Sequence, residues 1–554
     1  MRRTNPLLCL VPTLALGAAC ARGNAQLDAP KPDGGVSGGG AILSDSQACR
    51  EAADKRSSVG CEYAAVHMDG GSAARNGCFV VFVANTSSAR THLDVSFGGT
   101  PIDLGAYAKL PAGSGASLAY EDFDPAAGLE PGKVAILFLA GPAEPGVTDA
   151  HSGNMNDPVK CPIAPAMSAL TQTLGTGIGM SFRVRTDNPV VAYQMLPYGG
   201  GQAAVTGATL LIPTSAWGTN YVAMNAYEAG QLSGNLRTSL DLVAKEDGTE
   251  VTILPKVQIH KAPGVDGAPA NAPKKYKLDA GQTLQITQVE ELTGSPVESN
   301  KPIALFAGMP CMNVPTSVGY CDHAEQQIPQ IGALGHEYVG VTYRPRTDKP
   351  ETPPWRIVGV VDGTTLDFDP PGIGPSAIGA GDVVAFETGT PFRVRSQDKD
   401  HPFVLAGYMT GADAVGGGGY GDADFVRTVP AAQYMSRYVF FTDPTYPETN
   451  LVLTRKRGGP DVTLDCLGAV TGWASVGGGE YEFARVDLVR HDFVRQGNCD
   501  NGVHVMESGA PFGLTVWGWG SPETKKMTGY VSYGYPAGEN LAQLTDTHLP
   551  PEPR

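Results

Sequence analysis

The sequence predicts an all-β protein of tandem antiparallel β-sandwich-like units of about 100 residues each. Three observations carry this. Gly (71) and Pro (44) make up about a fifth of the 554 residues, a share that helix interiors do not tolerate and that turns between short strands require. Four Pro-led apolar runs recur at intervals of 113, 100 and 109 residues: Pro189-Val-Val-Ala-Tyr-Gln-Met195, Pro302-Ile-Ala-Leu-Phe-Ala-Gly308, Pro402-Phe-Val-Leu-Ala-Gly-Tyr408 and Pro511-Phe-Gly-Leu-Thr-Val-Trp517. Runs alternating apolar and polar with a period of two flank Gly-containing turns, as half-buried strands do.

The repeat has further pieces in fixed order. Phe182-Arg-Val-Arg-Thr186 precedes the first Pro-led run and Phe392-Arg-Val-Arg-Ser396 the third. Ile212-Pro213 leads to Tyr221-Val222, Ile328-Pro329 to Tyr338-Val339, and Val429-Pro430 to Tyr438-Val439. Leu240 to Ile253 around Asp247-Gly248, Ile357 to Phe368 around Asp362-Gly363, and Leu451 to Leu464 around Gly458-Gly459 read as hairpins, because such turns need positive φ. Thr91 to Pro101, with Gly98-Gly99, reads as a degenerate earlier copy. Each Pro suits the first position of a strand, where its missing N–H costs no ladder bond. Units are expected at 49–203, 204–310, 311–427 and 428–554, each with six or seven short strands. A β-propeller is the alternative, but its blades are shorter, about 40–50 residues.

The N-terminus reads as an address. Arg2 and Arg3, the short apolar stretch Leu7 to Leu16, and Gly17-Ala18-Ala19 form a secretory signal over 1–20, too short to span a bilayer. Cys20 after Leu16-Gly-Ala-Ala resembles a bacterial lipobox, which makes Cys20 the lipidated first residue of an outer-membrane-anchored protein; plain secretion is the alternative. Residues 21–48, with Asp33-Gly-Gly-Val-Ser-Gly-Gly-Gly40, read as a flexible Gly/Pro-rich tether. Any membrane contact is then expected through the lipid alone.

Cysteine and charge agree with export. Eight cysteines follow Cys20: Cys49, Cys61, Cys78, Cys161, Cys311, Cys321, Cys466 and Cys499. An even number in an exported chain reads as disulfides. Closeness in sequence suggests Cys311 with Cys321 and Cys466 with Cys499; the first four then pair among themselves, with Cys49–Cys61 and Cys78–Cys161 one arrangement. Spacing alone leaves the connectivity open. No CxxC exists to suggest a zinc knuckle. The net charge is −16, and no basic block of five occurs, so nucleic acid is not an expected partner.

Several segments together carry a resemblance: Cys61-Glu-Tyr63, Pro189-Val-Val-Ala-Tyr-Gln194, Leu210-Leu-Ile-Pro-Thr-Ser-Ala-Trp217-Gly-Thr-Asn-Tyr221, Asp247-Gly-Thr-Glu-Val-Thr-Ile253 and Cys321-Asp322-His323-Ala-Glu325-Gln-Gln-Ile-Pro329. Over most of 49–540 the chain resembles the IgGFc-binding protein N-terminal domain family, found in animal mucus proteins and exported bacterial proteins. The resemblance implies an extracellular, β-rich, disulfide-containing binding or adhesive module without enzymatic activity. The antibody ligand in the family's name is not carried over. The last unit departs most, lacking a clear Pro-to-Tyr piece after Pro511.

The candidate sites each have a plainer structural reading. Asp322, His323 and Glu325 could bind a metal or move a proton, but they read as a loop held by a Cys311–Cys321 bridge with His323 capping backbone. His336-Glu337 is half of a zinc-protease motif, and Gly340 stands where the second His is needed. Asp362, Asp367, Asp369, Asp422 and Asp424 lack EF-hand spacing and read as turn residues. Trp517, Trp519, Tyr530, Tyr533 and Tyr535 read as core pairs, with an exposed binding face the alternative. There is no GxSxG elbow, phosphate loop or Rossmann glycine pattern. No catalytic, cofactor or metal residue is therefore expected. The expected function is recognition of an extracellular protein or glycan at the cell surface. A structural envelope protein is the first alternative, and an all-β carbohydrate- or peptide-degrading enzyme the second.

Overall fold

A computed structural model describes residues 43–71, 74–142, 159–199, 205–230, 237–416, 418–523 and 529–553. The signal, Cys20 and the tether up to residue 42 lie outside these. From residue 43 the chain is already folded: a short 3-10 turn leads into helix Gln47–Lys55, capped by the Ser46 hydroxyl on the Cys49 amide. Everything after is all-β, in five antiparallel sheets. Among the described residues no helix is long and apolar enough to cross a membrane.

Three long strands organise the modules: Phe182–Leu196, Pro296–Met312 and Gly502–Trp519. Each holds one of the repeated prolines in its middle, not at its start as the sequence suggests. The ladder skips there. In the second module Ser299 pairs with Val251 and Ile303 with Ala244, while Asn300 to Pro302 pair with nothing. The strand changes layer at that gap, where Pro loses no ladder bond. The third module differs. Thr186 and Pro189 are three positions apart, whereas Ser396 and Pro402 are six apart. The extra residues split the strand into Phe392–Ser396 and Phe403–Met409, which belong to two separate four-stranded sheets.

The Asp-Gly segments are corrected in the same way. Thr238–Ala244 and Thr249–Ile253 flank Asp247-Gly248 but do not pair with each other; both pair with different halves of Pro296–Met312. The other two Gly turns likewise join strands that do not pair with each other: Pro354–Gly359 to Thr364–Asp369, and Glu448–Lys456 to Val462–Leu464. They are arches across the edge of a sandwich. Alternation marks a strand with one buried face, and two strands on opposite layers satisfy it as well as a hairpin does. Only Leu93–Phe97 and Thr100–Ile102, around Gly98-Gly99, form a true hairpin.

One interaction repeats in all four modules. A tyrosine hydroxyl accepts the amide N–H three residues upstream and donates to the carbonyl just after the repeated Pro. Tyr63 takes Gly60 N (2.8 Å) and gives to Val190 O (2.7 Å); Tyr221 takes Gly218 N (3.0 Å) and gives to Ile303 O (2.6 Å). Tyr338 takes Gly335 N (3.1 Å) and gives to Phe403 O (2.5 Å); Tyr438 takes Met435 N (3.0 Å) and gives to Phe512 O. Each tyrosine thereby satisfies two backbone groups that the layer change leaves without ladder partners.

The modules form a ring. Each ends in a fully buried strand antiparallel to its own long strand or, in the third module, to Phe403–Met409: Gly207–Leu210, Asp322–Ile328, Asp424–Arg427 and Ser532–Pro536. These four pack in a cycle, the first against the second and fourth, the third against the second and fourth. The ends close it: Ser58 N donates to Glu539 O (2.8 Å) and Leu541 N to Arg56 O (2.7 Å). Apolar cores run across module boundaries, as where Phe82 and Tyr193 pack with Phe440 and Tyr535. Strand Gly177–Met180, from the first module's stretch of chain, pairs with Gln282–Gln288 of the second module. The modules are therefore repeats in sequence but not separate cores.

Four disulfides link Cys49–Cys61, Cys78–Cys161, Cys311–Cys321 and Cys466–Cys499.

Candidate functional site

The ring's centre is polar, because the closing strands approach too closely for side chains at some points. A Cβ on Gly207 would lie 2.4 Å from His323 O. Polar side chains therefore reach along the strands to answer backbone groups of neighbouring modules. Asp322 accepts Thr206 N (3.1 Å) and Ser532 N (2.9 Å), tying the second module to the first and fourth. Gln326 donates to Ala208 O (3.1 Å) and Gly534 O (2.9 Å). Arg427 donates to Gln327 O (2.7 Å) and pairs with Glu539, both sealed from solvent.

Asp322, His323 and Glu325 thus lie in a buried strand, not a loop, and all three are at 0% exposure. Cys321, bridged to Cys311, immediately precedes the strand. Alternation sends Asp322 and His323 to opposite faces. His323 caps no backbone: neither ring nitrogen has a hydrogen bond, and Nε2 stands 3.6 Å from Glu325 Oε2. Glu325 Oε2 accepts Gln194 Nε2 (2.7 Å), and Gln194 closes on both backbone groups of Val66. The neighbour of Val66 is His67, which the sequence did not single out. Its Nδ1 is 2.7 Å from Thr171 Oγ1, its ring stacks on Phe79, and its Nε2 has no partner. Asp241, also unflagged, is fully buried with both carboxylate oxygens unpartnered.

Burial sets the charge states here. It holds Asp241 well above the usual carboxylate range, with Asp69 and Glu325 adding repulsion. Asp322 is held well above it by burial and then by Asp422 and Asp424. Burial also raises Glu325 and Asp424, and pushes Asp422 up to about 7. It pushes the His67 imidazole down to about 3.

The other sequence candidates do not join this centre as a group. Asp422 and Asp424 are buried beside it, each accepting backbone amides. Asp362 accepts Ala380 N, Asp367 pairs with Arg393, and Asp369 accepts Gly478 N: three separate roles. Glu337 accepts the Tyr481 hydroxyl beside an open cleft that includes His336, Asp367 and Arg395. Trp517, Trp519, Tyr533 and Tyr535 are core; Tyr530 stacks on the half-exposed Tyr320, centroids 4.3 Å apart. Among the described residues, one set of three metal-type ligand atoms lies within 4.8 Å: Asp465, Cys466 and His504. Cys466 is in a disulfide, and the Asp465 oxygens and both His504 nitrogens are already bonded. That set is a structural knot.

Comparison with known proteins matches the same stretch. The family described as IgGFc binding protein matches residues 207–518, from the first closing strand into the last long one. The human IgGFc-binding protein is 26% identical over 317 residues, 56% of this chain. The match spans only 5% of that relative's length. With more than half of its length matched, the chain belongs to the IgGFc binding protein family.

Proposed function

We propose that the chain is an exported recognition module, a cell-envelope lipoprotein that binds an extracellular protein through loops and sheet edges of a rigid ring. The observation that carries this reading is burial. Asp322, His323 and Glu325, the residues best suited to proton or metal chemistry, are at 0% exposure and bind the modules together, so they meet no substrate. Four disulfides support an oxidising compartment. In this reading residues 1–20 direct export, Cys20 carries the lipid, and 21–48 hold the body off the membrane. The family name supports a protein ligand; a glycan is the finer alternative.

Tyr320 supports a contact point. It is 51% exposed, stacked on Tyr530, and held at φ 64° beside Cys321. A rigid, half-exposed aromatic loses little entropy on binding. The test is capture by the immobilised full chain of extracellular proteins, with an antibody Fc arm and a glycan array in parallel. Saturable protein binding, weakened by Tyr320→Ala, is expected. Glycan-only binding, or turnover of a glycan or peptide substrate, overturns the reading. Fatty-acid labelling that Cys20→Ala abolishes is expected for the anchor.

A further inference from the structure

We propose that the seam between the first and second modules is a buried divalent-metal site of the zinc class, with His67, His323 and Glu325 as ligands and Asp241 completing the set. The proposal is independent of the protein-binding reading.

The seam is made of two surfaces. One is the segment Val66 to Asp69 of the first module. The other is the face of the second module that carries Ser239, Asp241, Gly308, His323 and Glu325. The contacts between them are firm. Gln194 ties Glu325 to Val66. Asp69 N donates to Gln285 Oε1 (3.1 Å), and Gln285 is the ladder partner of Asp241. A Cβ on Gly308 would lie 2.3 Å from Met68 Cε, so Met68 covers Gly308. His67 is therefore held against this face by residues on both sides of it.

Seven buried polar atoms on these surfaces have no hydrogen-bond partner: His67 Nε2, His323 Nδ1 and Nε2, Glu325 Oε1, both oxygens of Asp241, and Ser239 Oγ. Buried polar groups are almost always answered, and a cluster of unanswered ones marks an unseen water or ion. Protonating the carboxyls would not suffice, since Asp241 has no acceptor for an O–H. No Lys or Arg is paired with Asp241 or Glu325. Water would satisfy hydrogen bonds and leave carboxylate charge unanswered; a divalent cation answers both.

The donors select the ion. Two imidazoles with carboxylates suit zinc over calcium, which takes oxygen alone. The 3.6 Å between His323 Nε2 and Glu325 Oε2 is too long for a hydrogen bond. It is close to the separation of two ligands about 2.1 Å from one tetrahedral ion. The Thr171 hydroxyl on His67 Nδ1 orients the ring and leaves Nε2 for a metal, the usual outer support of a ligating histidine. Asp241 and Glu325 flank the strand that bears Gly308. With no side chain at Gly308, rotation about their χ angles can bring both carboxylates to one point.

The test uses the full chain, purified without chelator or histidine tag. Elemental analysis is expected to find about one zinc ion per chain. Chelation should lower the melting temperature by several degrees. Zn²⁺ should restore it, and Ca²⁺ or Mg²⁺ should not. His67→Gln and His323→Gln should lose bound zinc and the Zn²⁺ response. Should either variant fail to fold, the zinc content and chelator response of the unmodified chain still decide. Zinc-free protein that chelator does not affect overturns the proposal. So does a response to Ca²⁺ alone, or zinc that persists in both folded variants.

Discussion

Asp322 and Asp241 stand in the same module, both fully buried, and their surroundings differ completely. Asp322 faces the ring centre, where closing strands of two other modules offer it amide N–H groups. Asp241 faces the seam with the first module, where nothing among the described residues donates to either oxygen. Burial raises both carboxyls well above their ordinary range. Buried acidity is thus not one property. At the hub it is a joint between chain segments, and at the seam it is a vacancy in the hydrogen-bond account that needs an occupant.

The comparison makes its largest prediction at the hub. Asp322→Ala leaves two buried amides of neighbouring modules without an acceptor, at about 1–3 kcal/mol each. Urea unfolding should show a loss of roughly 4 kcal/mol, and Asp322→Asn, which keeps an acceptor, should lose clearly less. Equal losses would break the claim that Asp322 is a joint.

Next come the tyrosine locks. Tyr221→Phe, Tyr338→Phe or Tyr438→Phe leaves one N–H and one C=O unanswered, with an expected cost of about 2 kcal/mol each. Similar unfolding shifts would support equivalent modules; a silent Tyr338→Phe would separate the split third module from its neighbours.

The pH dependence is smaller. Burial pushes Asp443 up to about 7, although Thr445 donates to one of its oxygens. A carboxyl raised in the folded state binds its proton more tightly there. Its stabilising contribution is present in full below the ordinary carboxylate range and is lost as pH rises through about 7. Melting temperatures should fall between pH 5 and pH 8, and Asp443→Asn should flatten part of that slope. An unchanged slope refutes the role of Asp443.

The smallest effect belongs to the seam. In zinc-free protein Asp241→Asn removes an unanswered buried charge, so stability should stay within about 1 kcal/mol or rise. A loss as large as that of Asp322→Ala would mean that Asp241 is another joint.

Much of the β structure was legible locally. Val134 to Ala140 reads as a buried strand and is one, with all seven residues buried. Gly248, Gly363 and Gly458 do take positive φ. The pairing around those turns was not legible, because alternation reports which face is buried and not which strand lies alongside. The first tyrosine lock was missed, although a signal existed: Gly60-Cys-Glu-Tyr63, Gly218-Thr-Asn-Tyr221 and Gly335-His-Glu-Tyr338 share Gly three before Tyr. His67 and Asp241 had no such signal. They sit about 170 residues apart and acquire meaning only when two modules face each other.

The order of residues by itself determined the strand class, the recurrence of one module and the position of each chain reversal. Backbone stereochemistry and the period of apolar side chains act over a few residues, so the chain carries them wherever it goes. Closure of the ring, the passage of strands between layers and the sealing of Asp322, His323 and Glu325 were decided by packing. A residue's burial depends on what distant segments place against it, and no local pattern encodes that neighbour.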